Sequence, residues 1–317
     1  MNKDRLLCSR FQNTVQSFML IILIIAIPGT VGALIAGSTG MLIAAIGGLI
    51  LLLSGPGISP AIVLKMYNAR KLAPEEAGGL HSILHELAAR SHLPKMPELY
   101  YIPSRVLNAF SVGDREESAI AITDGLLRAL TWREITAVLA HEVSHIQSGD
   151  LRIMGLADTL SRFTHILSNM GVLIMLIYLP LLVLTGSILP LPALLVLIFS
   201  PTLSIILQMA LSRTREYRAD IDAIALTGDP EGLASALKKM ENYKMKLWDL
   251  FLMPGRKVPD PSLLRSHPHT EKRIDRLLGL LPEGDAFPHH EDHATPAPRH
   301  IPEVQRNPQW KIGGIWK

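Results

Sequence analysis

Cysteine is nearly absent from this chain of 317 residues, in which Cys8 is the only one. A single cysteine excludes an intrachain disulfide, and it excludes thiolates as the main ligands of a metal site. We interpret Cys8 as a small neutral residue near a membrane boundary.

Charged residues are also scarce. They make up 19% of the chain against 48% hydrophobic residues, and the mean hydropathy is +0.27. This composition is too apolar for an ordinary soluble enzyme of this size. The net charge is only +3, and the sequence has neither a basic stripe interleaved with aromatic residues nor a P-loop pattern, so no nucleic-acid partner is expected.

The absence of charge is concentrated in two long runs, of which the first covers residues 11–64, 54 positions without Asp, Glu, Lys or Arg. A helix needs about 20 apolar residues to cross the hydrocarbon core, so this run predicts two crossings. We expect the first at residues 15–36, a turn at residues 37–40, and a second crossing from residue 41 to an end between residues 53 and 64. A signal peptide is the competing interpretation, but the apolar segment is too long and an equally apolar one follows it.

The second uncharged run covers residues 163–212, 50 positions whose one conditionally charged side chain is His165. It is expected to divide at residues 185–192 into another pair of spanning helices. Basic residues flank both runs, and the connecting turns carry no charge. By the positive-inside rule both hairpins leave the cytoplasm and return, so both termini and the intervening segment are predicted to be cytoplasmic. The flanking basic residues are Lys3, Arg5, Arg10, Lys65, Arg70, Lys71, Arg152, Arg162, Arg213, Arg215 and Arg218.

The polar segment between the two runs contains the motif His141-Glu142-Val143-Ser144-His145. Helix positions four apart share a face, with Cβ atoms about 5–6 Å apart. His141 and His145 can therefore converge on one metal ion, with Glu142 beside it as a general base. Residues 131–148 contain no proline or glycine, and Gly149 provides a helix end. The competing interpretation is a pair of packed or surface histidines beside an incidental glutamate.

A catalytic zinc usually has three protein ligands and one open position, so a third ligand must come from elsewhere in the chain. Glu216 is the best candidate, on a helix expected at residues 213–226. Asp220 lies one turn later on the same face and could accept a hydrogen bond from the far nitrogen of a ligand histidine. The alternative for Glu216 is a surface ion pair. His267 is a plausible further donor to the oxyanion.

Other elements are expected around the motif. Amphipathic helices are predicted at residues 74–91 and 230–247, strands at Glu98–Ile102 and Ser118–Thr123, and a short helix at residues 266–280. The strand that ends shortly before the motif helix could pair with an extended substrate backbone by edge addition, or it could be an ordinary sheet edge. Residues 283–317 are rich in proline and histidine and are predicted to form a disordered cytoplasmic tail.

Four separated motifs occur in the order NAFSVG, HEVSH, EYRAD and SHPHTEKRI. With them the chain resembles the HtpX-type membrane metallopeptidases over residues 11–280. That family is related to the CAAX prenyl proteases and to a mitochondrial inner-membrane quality-control protease. The resemblance implies one zinc ion per chain, held by His141, His145 and Glu216, with Glu142 as the catalytic base. It also implies polypeptide substrates, namely damaged or misassembled membrane proteins cleaved from the cytoplasmic side of a prokaryotic inner membrane.

The resemblance implies roles for three further residues. Asn108 lies by the substrate cleft, and Arg273 is expected to take part in substrate binding. His267 lies near the fourth metal position, where it either stabilises the oxyanion or occupies that position at rest.

The implied fold is a mainly α integral membrane protein. It has two transmembrane helical hairpins and a cytoplasmic, gluzincin-like α+β metallopeptidase domain with a small sheet. We expect the N-terminal hairpin at residues 1–72 and the second hairpin at residues 163–212, inserted in a peptidase domain made of residues 73–162 and 213–282. The tail then covers residues 283–317.

Two other functions compete with a cytoplasm-facing zinc endopeptidase. An intramembrane protease needs its metal helix inside an apolar span, whereas Arg133, Glu134 and Asp150 bracket this one. A membrane scaffold or chaperone with a structural metal needs a closed site, usually of four ligands and rich in cysteine. A single cysteine near the N-terminus argues against that site.

Overall fold

The structure is a computed structural model that describes residues 3–53, 60–186, 191–251 and 270–279. The helices of these residues are α1 Lys3–Leu53, α2 Pro60–Met66, α3 Gly78–Arg90, α4 Asp124–Ala129, α5 Trp132–Ser148, α6 Asp150–Leu184, α7 Leu191–Thr227, α8 Pro230–Phe251 and α9 Thr270–Leu278. The strands are β1 Arg70–Lys71, β2 Glu98–Ile102, β3 Ala109–Gly113 and β4 Ser118–Thr123. The two predicted strands are confirmed as β2 and β4. His267 and the predicted tail at residues 283–317 lie outside the described residues.

Helices α1, α6 and α7 are long and apolar enough to cross a membrane, and an 18-residue window in each has a mean hydropathy of 2.7, 1.6 and 2.2, respectively. They pack on one another and direct large apolar side chains outward, such as Ile177, which is 67% exposed, and Leu184, which is 84% exposed. A continuous apolar surface of this kind is unfavourable in water and fits a lipid environment.

Helix α1 folds back on itself at Ala36 and Gly37, which leave the helical conformation. Gly37 has a φ of 61°, a left-handed value that favours glycine. A Cβ atom on Gly32 would lie 2.8 Å from the Cβ of Ala44, although residues twelve apart in a straight helix are separated by about 18 Å. The two arms of α1 are therefore antiparallel, and Gly32 and Gly40 allow their backbones to approach closely.

A proline in α7 leaves one backbone carbonyl without its helical partner. Pro201 has no N–H, so it cannot donate a hydrogen bond to the carbonyl of Leu197, four residues earlier. That carbonyl instead accepts hydrogen bonds from the hydroxyl of Ser168 in α6 and from the hydroxyl of Ser200. An unsatisfied carbonyl is costly in lipid, so these hydrogen bonds stabilise α7. The bond from Ser168 also links α6 to α7.

The four strands form one mixed sheet in the order β1-β2-β4-β3, in which β2 and β4 are parallel and the other pairs antiparallel. Helices α3 and α5 cover one face of the sheet. The buried core between them includes Leu84, Leu99, Ile120, Ile122 and Leu139. Strand β4 lies inside the sheet with a neighbour on each side, so the expectation that it could pair with a substrate is wrong. The edge beside β4 is β3.

Helix α7 runs without a break from the apolar bundle into the polar half of the molecule. The sequence analysis separated a spanning segment that ends at residue 212 from a helix at residues 213–226, but both belong to α7. Residues 202–227 contain no proline or glycine, so nothing in the sequence stops the helix at the change in polarity. Similarly, α6 begins at Asp150, and only Gly149 separates it from α5.

Candidate metal centre

Helix α5 is fixed at both ends by local sequence signals. The Thr131 hydroxyl accepts a hydrogen bond from the Glu134 N–H, and the Glu134 carboxylate accepts one from the Thr131 N–H, which together form a capping box. Gly149 ends the helix with a φ of 67°. Glu134 also accepts hydrogen bonds from Ser235 and Lys239 of α8. The helix that carries both histidines of the motif therefore has a defined start and direction.

Three ligand atoms from α5 and α7 converge on one point. The Nε2 atoms of His141 and His145 lie 3.1 Å apart. Oε2 of Glu216 lies 3.4 Å from Nε2 of His141, and Oε1 lies 3.7 Å from Nε2 of His145. His141 and Glu216 are buried, and His145 is partly buried. The structure thus brings together the three residues that the sequence analysis selected as ligands.

These separations fit a single metal ion. Zinc binds imidazole nitrogen and carboxylate oxygen at about 2.0–2.2 Å in a tetrahedral arrangement, which places its ligand atoms about 3.3 Å apart. Two imidazoles and a carboxylate are a ligand set of catalytic zinc sites, although they also suit other first-row divalent metals. Within the described ranges no fourth His, Cys, Asp or Glu joins the group.

Each histidine is oriented by a carboxylate at its other ring nitrogen. Nδ1 of His141 lies 3.1 Å from Oδ1 of Asp220. Nδ1 of His145 lies 2.7 Å from Oδ2 of Asp150. Such contacts fix the ring and its tautomer, so that Nε2 faces the ligand point. Asp220 was predicted for this role and Asp150 was not, although Asp150 lies at the start of the next helix, five residues after His145.

Arg215 on α7 pairs with Asp150. Its guanidinium donates hydrogen bonds to Oδ1 of Asp150 and to the carbonyl of Ser148. The sequence analysis counted Arg215 among the charges that flank a membrane span, but the side chain is only 4% exposed. Arg215 is thus part of the site, and it connects α7 with the junction of α5 and α6.

Arg273 on α9 pairs with the carboxylates on the opposite side of the site. Its Nε and Nη2 donate hydrogen bonds to Asp220 at 2.8 and 2.6 Å. Its Nη1 lies 3.1 Å from Oε2 of Glu216, and the side chain is 0% exposed. A guanidinium that is shielded from solvent and held by two carboxylates faces the protein interior. The predicted role of Arg273 in substrate binding stays a prediction, and these contacts place its side chain inside the protein.

The carboxylates favour the protonated form of both histidines in the metal-free protein. Burial lowers the pKa of His141, but the neighbouring Asp220 and Glu216 outweigh burial and raise the pKa to about 10. Burial also opposes the charge of His145, whereas Asp150 raises its pKa above the ordinary value. Because a metal binds neutral imidazole, protons compete with the metal for this site.

Glu142 follows His141 on α5 and is held by the edge strand of the sheet. Its Oε2 accepts a hydrogen bond of 2.9 Å from the hydroxyl of Ser111 in β3, and both side chains are buried. This bond fixes one carboxylate oxygen of Glu142. The sequence analysis singled out the segment that contains Ser111 but did not foresee this contact, which depends on how the sheet packs against α5.

Asn108 precedes β3 and is anchored through its backbone. Its N–H donates to the hydroxyl of Thr123 at 3.0 Å, and its carbonyl accepts from the N–H of Thr123 at 3.1 Å. The side chain of Asn108 is half-buried, and its contact with substrate stays a prediction.

Several known proteins are related to this chain in sequence. Residues 74–281 match peptidase family M48. The Protease HtpX homolog of Acaryochloris marina is 36% identical over 276 residues, which cover 80% of this chain and 92% of the relative. The Protease HtpX homolog of Aquifex aeolicus is 36% identical over 293 residues, which cover 84% of this chain and 91% of the relative. Among solved structures, the crystal structure of S. mikatae Ste24p is similar with a TM-score of 0.42 and 18% identity, covering 86% of this chain and 66% of that chain.

Two histidines of α5 and a glutamate of α7 meet at one point, and α7 continues into the apolar bundle. With the family match, this arrangement defines a membrane-anchored metallopeptidase. The chain belongs to peptidase family M48. It is a multi-pass membrane protein and a relative of the HtpX proteases. The predicted family and the predicted enzyme class are confirmed.

Proposed function

We propose that this chain is a zinc-dependent endopeptidase that hydrolyses misfolded or damaged membrane proteins on the cytoplasmic side of a prokaryotic inner membrane. The observation that carries the proposal is the convergence of His141, His145 and Glu216 next to Glu142. Three protein ligands with a carboxylate beside them suit a metal-assisted hydrolase.

Each residue of the site has a task in this proposal. When bound, a zinc ion supplies Lewis acidity and lowers the pKa of water toward about 7. Glu142 accepts the proton of the attacking water and delivers it to the leaving amine, as a general base and then a general acid. Ser111 keeps the Glu142 carboxylate in place. Asp220 and Asp150 keep both imidazoles turned toward the ligand point.

Strand β3 is the proposed binding edge for an extended substrate. Hydrogen bonds join Asn108 to Thr123 and Asp114 to Glu117 across the β3–β4 pair. Because hydrogen-bonded pairs alternate in an antiparallel ladder, the N–H and C=O groups of Ala109, Ser111 and Gly113 point away from β4. A substrate that pairs with them lies beside Ser111 and hence beside Glu142.

Two residues from the family resemblance complete the proposed site. Asn108 directly precedes β3, whose outer edge is not paired with another strand among the described residues, which supports its predicted place beside the substrate. His267 is proposed either to donate a hydrogen bond to the oxyanion or to occupy the fourth metal position at rest.

Two transmembrane hairpins are proposed to anchor the site. The folded-back α1 supports the first, and the antiparallel contact of α6 with α7 supports the second, since Ser168 bonds to the carbonyl of Leu197. The basic flanks favour a cytoplasmic site. A phosphatase fused at Ser38 or Gly186 is then expected to be active outside the cytoplasm. A fusion that reports a cytoplasmic location at either position would overturn this topology.

The enzymatic proposal is tested with Glu142→Gln in the full-length protein, purified in detergent. We expect the variant to retain zinc and to lose cleavage of an unfolded membrane protein, while a chelator abolishes cleavage by the parent. The exposed Glu116 provides a matched control, because Glu116→Gln should cleave like the parent. Equal, chelator-insensitive behaviour of Glu142→Gln and the parent would instead favour a scaffold with a structural metal.

A further inference from the structure

Two buried arginines support the two histidines of the metal centre, one on each side. On one side Arg215 holds Asp150, which contacts His145. On the other side Arg273 holds Asp220, which contacts His141.

The two arginines differ in where they come from along the chain. Arg215 directly precedes Glu216 on α7, so it arrives with the third ligand. Arg273 is on α9, 53 residues after Asp220. Its side of the site is therefore complete only when α9 is docked on α7.

Arg273 contacts Asp220 through directed hydrogen bonds. Two hydrogen bonds from separate guanidinium nitrogens, of 2.8 and 2.6 Å, hold both carboxylate oxygens of Asp220. The remaining nitrogen lies 3.1 Å from Oε2 of Glu216. One side chain thus holds both the carboxylate that orients His141 and the carboxylate of the third ligand.

Helix α9 has other contacts that dock it without Arg273. Leu277 is buried in the main core, with Ile274 packed against it. The guanidinium of Arg276 lies 4.4 Å from the ring centroid of Tyr217 on α7. A change at Arg273 can therefore alter the metal centre while the rest of α9 still holds the helix in place.

We propose that Arg273 is a positioning residue of the metal centre, which holds Asp220 against His141 and restrains Glu216, so that docking of α9 completes the site. The inference rests on the proposed metal-binding function. Without Arg273, two buried carboxylates would face each other without their cation. Their positions would relax, because like charges in a buried site repel and draw in water.

The test measures the zinc affinity of the full-length protein in detergent, by competition with a chromophoric chelator. Substitutions of groups that orient a metal ligand lower affinity by about 10- to 100-fold, and we expect a loss in this range for Arg273→Met. Arg273→Lys should recover part of it, because lysine restores the charge but not the two-pronged contact. Lys272→Met is the matched control on the same helix, because Lys272 is exposed, and it should bind zinc within about twofold of the parent. In the cobalt-substituted protein, Arg273→Met should also change the visible absorption bands, which report ligand geometry.

A double-mutant cycle shows whether Arg273 acts through Asp220. Asp220→Asn should weaken zinc binding much less in the Arg273→Met background than in the parent, since the two residues act as one unit. Asp150→Asn, on the other side of the site, should have the same effect in both backgrounds. If Arg273→Met is not recovered as a folded protein, Arg273→Lys provides the same cycle.

Two outcomes would overturn the inference. One is zinc affinity and a cobalt spectrum in Arg273→Met that match the parent, and the other is equal coupling of Arg273 to Asp150 and to Asp220. The proposed function fails in a different way: then the parent itself binds no zinc, or His141→Ala binds zinc as well as the parent does.

Discussion

The two sides of the metal centre are built from the same kinds of residues but are assembled differently. On the side of His145, the carboxylate and its arginine come from the junction of α5 and α6 and from α7, next to the third ligand. On the side of His141, the carboxylate is on α7 but its arginine comes from α9. The first side follows from the connectivity of neighbouring helices, whereas the second needs a separate docking event. The site therefore depends on the carboxylates and arginines behind the histidines as well as on its ligands.

The largest effect is expected from the loss of a ligand histidine, on either side of the site. His141→Ala and His145→Ala should each weaken zinc binding by at least about 100-fold, because a lost ligand costs more than a lost supporting residue. Equilibrium dialysis with zinc analysis measures both variants. If one variant kept the affinity of the parent, the histidine on that side would not be a ligand.

The second-largest expected effect is on the stability of the protein, which should differ between the two arginine variants. Arg215→Met and Arg273→Met each leave a buried carboxylate without its cation, a loss of about 3–5 kcal/mol where nothing relaxes. Without Arg273 the first turn of α9 can shift and admit water to Asp220 while Leu277 keeps the helix docked, whereas Asp150 begins α6 and lies against α7. Thermal unfolding of the zinc-free proteins should therefore show the larger loss for Arg215→Met. An equal or larger loss for Arg273→Met would show that α9 is as integral to the fold as α7.

A smaller effect is expected at the edge strand. Ser111→Ala removes the hydrogen bond to Glu142, and a hydrogen bond to a charged group contributes about 1.5–3 kcal/mol. The turnover number should fall about tenfold or more while zinc affinity is unchanged, since Ser111 belongs to neither histidine side. Steady-state kinetics together with zinc titration checks both parts. A loss of zinc affinity would contradict the role given to Ser111.

The smallest effect on stability is expected for Glu134, which belongs to the capping box at the N-terminal end of α5. Burial raises its pKa, but Lys239, Ser235 and Thr131 together lower it below the ordinary value of 4.5. A carboxyl group whose pKa is lower in the folded state contributes stability above its unfolded pKa and loses it as the pH falls through the folded pKa. Glu134→Gln should thus be less stable than the parent at pH 7, and the difference should shrink below about pH 4.5. Melting curves between pH 3 and 7 measure this difference, and a gap independent of pH would exclude the ion pair as its cause.

Much of the site could be predicted from the sequence because its parts lie on helices. Spacing along α5 and α7 placed His141, His145, Glu216 and Asp220 on two helix faces. Asp150 was in principle readable from its place five residues after His145. Arg273 could not be assigned in this way, because its contacts depend on the docking of α9 rather than on spacing within a helix.

The fold could also be predicted only where the signal lies within a single element. Apolar runs predicted the long helices, and the strands β2 and β4 were predicted as well. The place of β4 inside the sheet could not be read from a single strand, since both neighbours are set by register and topology. The continuity of α7 was also missed, because a change from apolar to charged residues was taken for a helix boundary although no proline or glycine marks one.

Zinc-edge X-ray absorption on the full-length protein tests the central claim most directly. The account predicts one zinc ion per chain with two imidazole nitrogens and carboxylate oxygen at about 2.0–2.2 Å, and the loss of one imidazole contribution in His145→Ala. A parent without stoichiometric zinc, or a ligand shell that is unchanged in His145→Ala and in Glu216→Ala, would contradict it.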